Sequence, residues 1–189
     1  MRLHFHFLIV GFCILGLTGC MSISPGFALD DDDVIVHIYS GSRFPKENGA
    51  FLRVFAVPFD DSAFDIGVGY EAKTDFNAVL SVFVYPREEK SLESELARLS
   101  SDVKEVTPEA HSIETWEVSW FNPPAARKAV LFAFRREFFE ETTNLLSELQ
   151  LYAIGKWFVL VRMTTETNSR DQAVEEMKDL LTRITGPSY

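Results

Sequence analysis

Cysteine is almost missing from this chain. Its 189 residues include only Cys13 and Cys20, both close to the N-terminus. A domain built from the remainder holds no disulfide, no thiol nucleophile and no cysteine metal ligand. Histidine is as scarce, since beyond His4 and His6 only His37 and His111 remain. No His-Glu-x-x-His segment exists, and no Cys or His cluster has the spacing of a zinc site. No serine lies in Gly-x-Ser-x-Gly, so a Ser-His-Asp hydrolase has no support in the sequence. There is no glycine-rich phosphate loop either. Gly67 and Gly69 merely flank Val68, and they read as strand glycines at a bend or under close packing. Basic residues are the minority charge, 18 against 28 acidic, a net charge of −10. Such a surface repels phosphate backbones, and with no basic stripe to offset it nucleic acid is excluded as a partner.

What remains offers little chemistry. His111 lies three residues before Glu114, a spacing open to a base and its orienting carboxylate, but both read as the solvent edge of a strand start. Glu88-Glu89 and Glu140-Glu141 read as solvated turns. A carboxylate pair assembled from distant residues, as in a glycosidase, leaves no sequence trace. The expectation is a non-catalytic protein with no metal and no cofactor.

What the chain has is an address. An apolar run from Phe5 to Gly19 follows Arg2 and carries no acidic residue, the layout of a secretory leader. It ends in Leu17-Thr18-Gly19-Cys20, which resembles the lipobox of bacterial lipoproteins. The resemblance implies cleavage before Cys20, with lipid on its sulfur and an acyl chain on its nitrogen. Residue two of the mature chain is then Met21, not Asp, which in bacteria with two membranes implies the outer membrane, facing the periplasm. Two other readings stay open. Gly26-Phe27-Ala28 is a small-x-small site for ordinary signal peptidase, although the apolar run ends well before it. A membrane span would need roughly 20 apolar residues, and the run is shorter.

Losing Arg2 with the leader takes the balance from −10 to −11. This charge argues against lying flat on anionic lipid, so membrane affinity is expected from the lipid on Cys20. Residues 20–33 read as a linker ending in Asp30-Asp31-Asp32-Asp33. Four consecutive carboxylates lack the spaced ligands and turn glycine of a calcium loop. Their repulsion extends a flexible segment reaching on the order of 20 Å.

Residues 34–189 read as a single domain, large enough to bury roughly 68–70% of its unfolded surface. Val34 to Tyr39 is a short β-branched run. Ala50 to Val57 is almost wholly apolar and reads as a strand covered on both faces, closed by Pro58. Phe64, Ile66, Val68 and Tyr70 alternate with Asp65, Gly67, Gly69 and Glu71, the pattern of a half-buried strand. Ala78 to Tyr85 should pair with it as a hairpin. Ile113 to Trp120, Lys128 to Phe138, Leu145 to Ala153 and Trp157 to Thr165 continue the strand pattern. Asn122-Pro123-Pro124 and Glu140 to Asn144 read as turns.

Two segments change period. Leu92, Leu96, Leu99 and Val103 mark one face of a helix, with Ser91 as N-cap and Pro108 as its stop. Val174, Met177, Leu180, Leu181 and Ile184 mark a second, capped by Asn168 or Ser169 and closed by Gly186-Pro187. Short strand connections imply antiparallel pairing, so the fold class is α+β, a central antiparallel sheet flanked by two amphipathic helices. Val79 to Pro86, the acidic amphipathic helix after it, and Gly155 to Thr164 together resemble small exported bacterial proteins with a PsbP-like fold. That resemblance implies a sandwich of this kind and a non-enzymatic accessory role.

One further constellation stands out. Trp116 and Trp120, four apart in a strand, would share a face and line a groove for a sugar, peptide or lipid chain. Ordinary core packing explains them equally well. Two functional classes follow. One is a lipid-anchored accessory module that binds a protein partner in the cell envelope. The other is a carrier or sensor of a small apolar ligand held between sheet and helix. An exposed aromatic patch favours the first, an enclosed apolar cavity the second.

Overall fold

The computed structural model describes residues 26–73, 76–116, 126–138, 141–184 and 186–187. Seven strands precede a helix, and four strands and a second helix follow, the order the hydrophobic periods imply. Three short strands, β1 (Phe27–Leu29), β2 (Ile35–His37) and β3 (Arg43–Phe44), form a small antiparallel sheet. Eight more form the main sheet: β4 (Glu47–Asn48), β5 (Phe51–Pro58), β6 (Ile66–Ala72), β7 (Ala78–Pro86), β8 (His111–Trp116), β9 (Ala126–Phe138), β10 (Glu141–Ile154) and β11 (Trp157–Glu166). Their spatial order is β4-β5-β6-β7-β11-β10-β9-β8, antiparallel throughout.

Helix α1 (Leu92–Val106) begins where expected, with the Ser91 side chain accepting from the Ser94 amide at 3.1 Å. It lays Leu92, Leu96, Leu99 and Val103 on the sheet over β9 and β10. Helix α2 (Arg170–Arg183) follows a 3₁₀ turn at Thr167–Ser169 and has no side-chain cap bond. It buries Ala173, Met177, Leu180 and Leu181 on the opposite face, in one core with Tyr70, Val82 and Trp157. The sheet residues divide by parity. In β11, Trp157, Val159, Val161 and Met163 join the α2 core, while Phe158 and Leu160 join the α1 core. The result is a mixed α+β fold, but its sheet is wider than a sheet simply flanked by two helices.

Several expectations change. The aspartates 30–33, expected in a linker, belong to a folded hairpin. Asp30 Oδ1 accepts from the amides of Asp32 at 3.1 Å and Val34 at 2.9 Å, and its carboxylate pairs with Arg43. Asp33 pairs with Lys46 at 2.7 Å. Two of the four charges that would repel one another in a free chain, those of Asp30 and Asp33, are thus matched by cations of the following segment. The folded unit therefore starts before Val34. Residues 141–144, expected in a turn, extend β10, which pairs with β9 from Phe138 inward. A two-residue loop, Gly155-Lys156, then turns the chain into β11, with Gly155 at φ +56°.

Strand β5 is not covered on both faces. Val54, Phe55 and Val57 remain exposed, and β4 pairs only with Phe51 and Leu52, which leaves the rest of β5 at the sheet edge. Strand β6 departs in the other sense, since Gly67 and Gly69, expected on a solvent face, are buried. The rings that cover them are Phe59 and Phe83 over Gly67, and Phe55 over Gly69. A Cβ at Gly67 would lie 2.6 Å from Phe59 Cε2. A Cβ at Gly69 would likewise collide with the Phe55 ring. The Gly69→Ala substitution is therefore expected to destabilise the fold by about 1–3 kcal/mol in urea unfolding, through overpacking. Adding Phe55→Ala should recover part of that loss, as a double-mutant cycle will read.

Candidate functional site

Cross-strand ladders assemble one open surface. On the α1 side of the sheet, Phe55 pairs with Gly69 and Val57 with Gly67. Gly67 in turn pairs with Phe83, and Val79 with Glu71. Phe59 and Phe83 approach with ring centroids 5.9 Å apart. Helix α1 sits over β9 and β10, away from this half of the sheet. Phe55, Val57, Phe59 and Val79 therefore keep 37–48% of their surface exposed. Isolated exposed apolar residues are ordinary, but a contiguous aromatic patch marks an interaction surface. Along its open edge, the residues of β5 beyond Leu52 have no strand partner in β4, a disposition suited to strand addition by another chain.

A charged network borders this face where it meets α1. Arg98 donates to Glu95 Oε1 at 2.5 Å and to Asp102 Oδ2 at 2.6 Å. Tyr85 donates its hydroxyl to Glu95 Oε1 at 3.0 Å. Burial opposes the Glu95 carboxylate, but the Arg98 hydrogen bonds and charge outweigh it and hold its pKa below the ordinary value. Burial, with Glu95 beside it, raises the Tyr85 pKa. Asp65 lies one residue before β6. Burial pushes its carboxyl up to about 7, helped by the negative charge of Asp60 and opposed by Arg98. The rim of the patch thus holds a carboxyl that changes charge near neutral pH.

His37 does a different job. It is fully buried, with Nε2 donating to the Ala63 carbonyl at 2.8 Å and Nδ1 2.7 Å from Ser40 Oγ. Burial lowers its pKa. The neutral ring joins the small sheet to the β5–β6 loop and packs edge-on against Trp157 at 5.7 Å. His111 and Glu114 both lie exposed on edge strand β8. A ladder irregularity at Ile113 separates their pairings with Ala133 and Leu131. A second polar set is internal to the fold. Tyr152 donates to Gln150 at 2.5 Å and Gln150 to Glu148 at 2.6 Å, on the α2 side of β10. Burial raises the pKa of Glu148, with Arg170 Nη2 at 3.5 Å opposing the shift.

Of the residues singled out in the sequence, Cys20 and Trp120 lie outside the described residues. Trp116 ends β8, where it pairs with Ala129. The aromatic face was not singled out in the sequence. Its one visible signal was the Gly-Val-Gly of β6, whose missing side chains leave room for rings from β5 and β7. A groove of about 300 Å³ between α1 and strands β8 and β9 is lined by Leu96, Ala97, Val130 and Phe132, with Glu93 and Lys128 among its polar residues. It opens to solvent and is not the enclosed cavity that a carrier would need. Among the described residues no cluster of three His, Cys, Asp or Glu could hold a metal ion, and no helix is long and apolar enough to cross a membrane.

No protein-family model matches the chain, and no curated protein matches it. Solved structures give distant likenesses. One is PA94 from Pseudomonas aeruginosa, a protein of unknown function suggested to be a regulator. It has 11% identity and a TM-score of 0.49, covering 77% of this chain and 91% of that one. Another is LpqN of Mycobacterium tuberculosis, described as involved in cell envelope biogenesis. It has 9% identity and a TM-score of 0.37, covering 86% and 82%. Likeness at that level carries no argument about what this chain does.

Two pH-dependent outcomes follow from the buried groups. Asp65 binds its proton more tightly folded, at about 7, than unfolded, at 3.8. Its contribution to stability therefore grows as pH falls from about 7 towards 4. Asp65→Asn should be more stable than the parent at pH 8 in thermal unfolding, with the advantage fading towards pH 4. His37 has the opposite sign. Its folded pKa lies below the unfolded 6.5, so its stabilisation is full above that value and is lost as pH falls below it. His37→Ala should cost about 2–4 kcal/mol at pH 8 in urea unfolding, since it removes the bond to the Ala63 carbonyl and opens a cavity. It should also flatten the acid limb of the stability profile.

Proposed function

We propose that this chain is a lipid-anchored, non-catalytic accessory module of the bacterial envelope. It is held at Cys20, faces the periplasm from the outer membrane, and docks a protein partner on the aromatic face of β5–β7. The observation that carries the docking role is the exposed set Phe55, Val57, Phe59 and Val79 over two strand glycines. A rim containing Asp60, Asp65 and Glu71, on a chain of charge −10, fits a partner whose apolar strand or ridge is flanked by basic residues. The lipobox Leu17-Thr18-Gly19-Cys20 supports the tether, and the strand–helix–strand order supports the PsbP-like resemblance. The open groove beside α1 gives the carrier alternative no comparable support.

Two measurements test this reading. Mass spectrometry of the protein purified from bacterial membranes should find Cys20 as the acylated N-terminal residue, and Cys20→Ala should abolish both processing and acylation. A mature N-terminus at Leu29 without lipid would sink the tether. A photo-crosslinking residue placed at Val57, but not at Ile113 on the opposite edge, should yield one discrete adduct in intact cells. The protein identified in it should bind the purified chain at micromolar strength or better, and Phe55→Ser with Val57→Ser should weaken that binding at least tenfold, about 1.4 kcal/mol. Equal adducts from both positions, or an adduct of two copies of this chain, would refute a dedicated partner face.

A further inference from the structure

The point at which the chain enters the described fold has its own chemistry. Gly26 is pinned there, its carbonyl accepting from the Ile38 amide at 2.9 Å. It sits against Ala63 in a left-handed conformation, φ +87°, that strongly favours glycine. Gly26 lies six residues after Cys20, and at full extension that stretch spans about 20 Å. A lipid on Cys20 therefore keeps this end of the molecule within about 20 Å of its attachment point, close enough for it to reach the headgroup layer.

The side chains around Gly26 suit that neighbour. Ile38 is 59% exposed and Tyr39 46%. Phe64, also exposed, stacks on Tyr39 with centroids 4.3 Å apart and lies 6.2 Å from the buried Trp157. The rings are thus backed by a packed aromatic column and cannot fold inward. Lys156, in the adjoining β10–β11 turn, holds its ammonium 5.5 Å from the Trp157 ring centroid. The acidic turn of the small sheet faces away. Phe27 pairs with His37 beside Gly26, whereas Leu29 pairs with Ile35 at the far end of the same hairpin, next to Asp30–Asp33.

We infer that this end, with Ile38, Tyr39 and Phe64, rests on the surface of the membrane that holds the lipid on Cys20. The inference rests on the tether proposed above. Tyrosine and phenylalanine at headgroup level place the ring near the acyl boundary, with the tyrosine hydroxyl among the headgroups. Asp60 and Asp61 border the same loop, so the surface that fits is zwitterionic, and the contact is apolar and does not depend on salt. Seated this way, the domain is held in one orientation, and its open β5–β7 face is presented at a fixed angle to the membrane.

The test uses the full acylated chain in phosphatidylcholine vesicles. After processing, Cys13 has left and Cys20 carries lipid, so an introduced cysteine is the sole free thiol. Nitroxide labels at Ile38→Cys and, at the opposite end of β6, Glu71→Cys are compared by collision with oxygen and with a water-soluble nickel complex. The expected result is an oxygen-to-nickel ratio several-fold higher at 38 than at 71, unchanged by molar salt. Tyr39→Ser with Phe64→Ser should bring the ratio at 38 down to the aqueous value while circular dichroism keeps the folded signature. Equal aqueous ratios at both positions, on a chain whose mass shows the acyl groups, would overturn the inference and leave the tether standing. A mass without acyl groups would instead overturn the tether.

Discussion

Strand β11 is the last strand made, yet it lies in the middle of the sheet between β7 and β10, and the rest of the fold depends on that placement. Within the main sheet, the strands before α1 join the later meander through its pairing with β7. Its side chains also feed both cores alternately. Because side chains alternate strictly along a strand, one misregistered residue would send Trp157 and Phe158 to the wrong sides and dissolve both cores at once. The two-residue loop Gly155-Lys156 sets that register locally, since it leaves no slack between β10 and β11.

An eight-stranded sheet is also too wide for one helix per face. Helix α1 takes the β9–β10 half of one face, while α2 and the small sheet take much of the other. Among the described residues, the β5–β6 part of the α1 face is then covered by phenylalanines of β5, β7 and the β5–β6 loop, lying over glycines. This arrangement protects the backbone of β6 and leaves the outer surface of those rings in water. The open face is thus a consequence of how the cover is distributed, and it is where the structure offers most to a partner. The arginine–carboxylate set around the buried Glu95 lies at the border between α1 and the open face.

The small sheet gives the molecule its second asymmetry. His37, Arg53 and Tyr70 fasten it to the main sheet through bonds to Ala63, Phe44 and Pro45 carbonyls. One end of its β1–β2 hairpin gathers apolar side chains around Gly26, and the other gathers aspartates with their cations. The two ends of this one hairpin, from Phe27 to His37, thus differ in chemistry.

Local pattern carried much of the fold. The four-residue spacing of Leu92 and Leu96, the cap at Ser91, and the β-branched strand runs follow from backbone geometry that each segment settles by itself. So do the absences, since no tertiary arrangement supplies a missing cysteine or a basic stripe. The errors have a common physical cause. The aspartates 30–33 looked like a solvated linker because their cations, Arg43 and Lys46, come from elsewhere in the chain. Strand β5 looked buried because apolar composition does not say which half of a sheet face a helix will cover. The sequence by itself determined the kinds of element, their order, the charge and the leader-like start. Only the tertiary structure decided which apolar residues stay in water, because exposure depends on the placement of helices and strands that lie far apart along the chain.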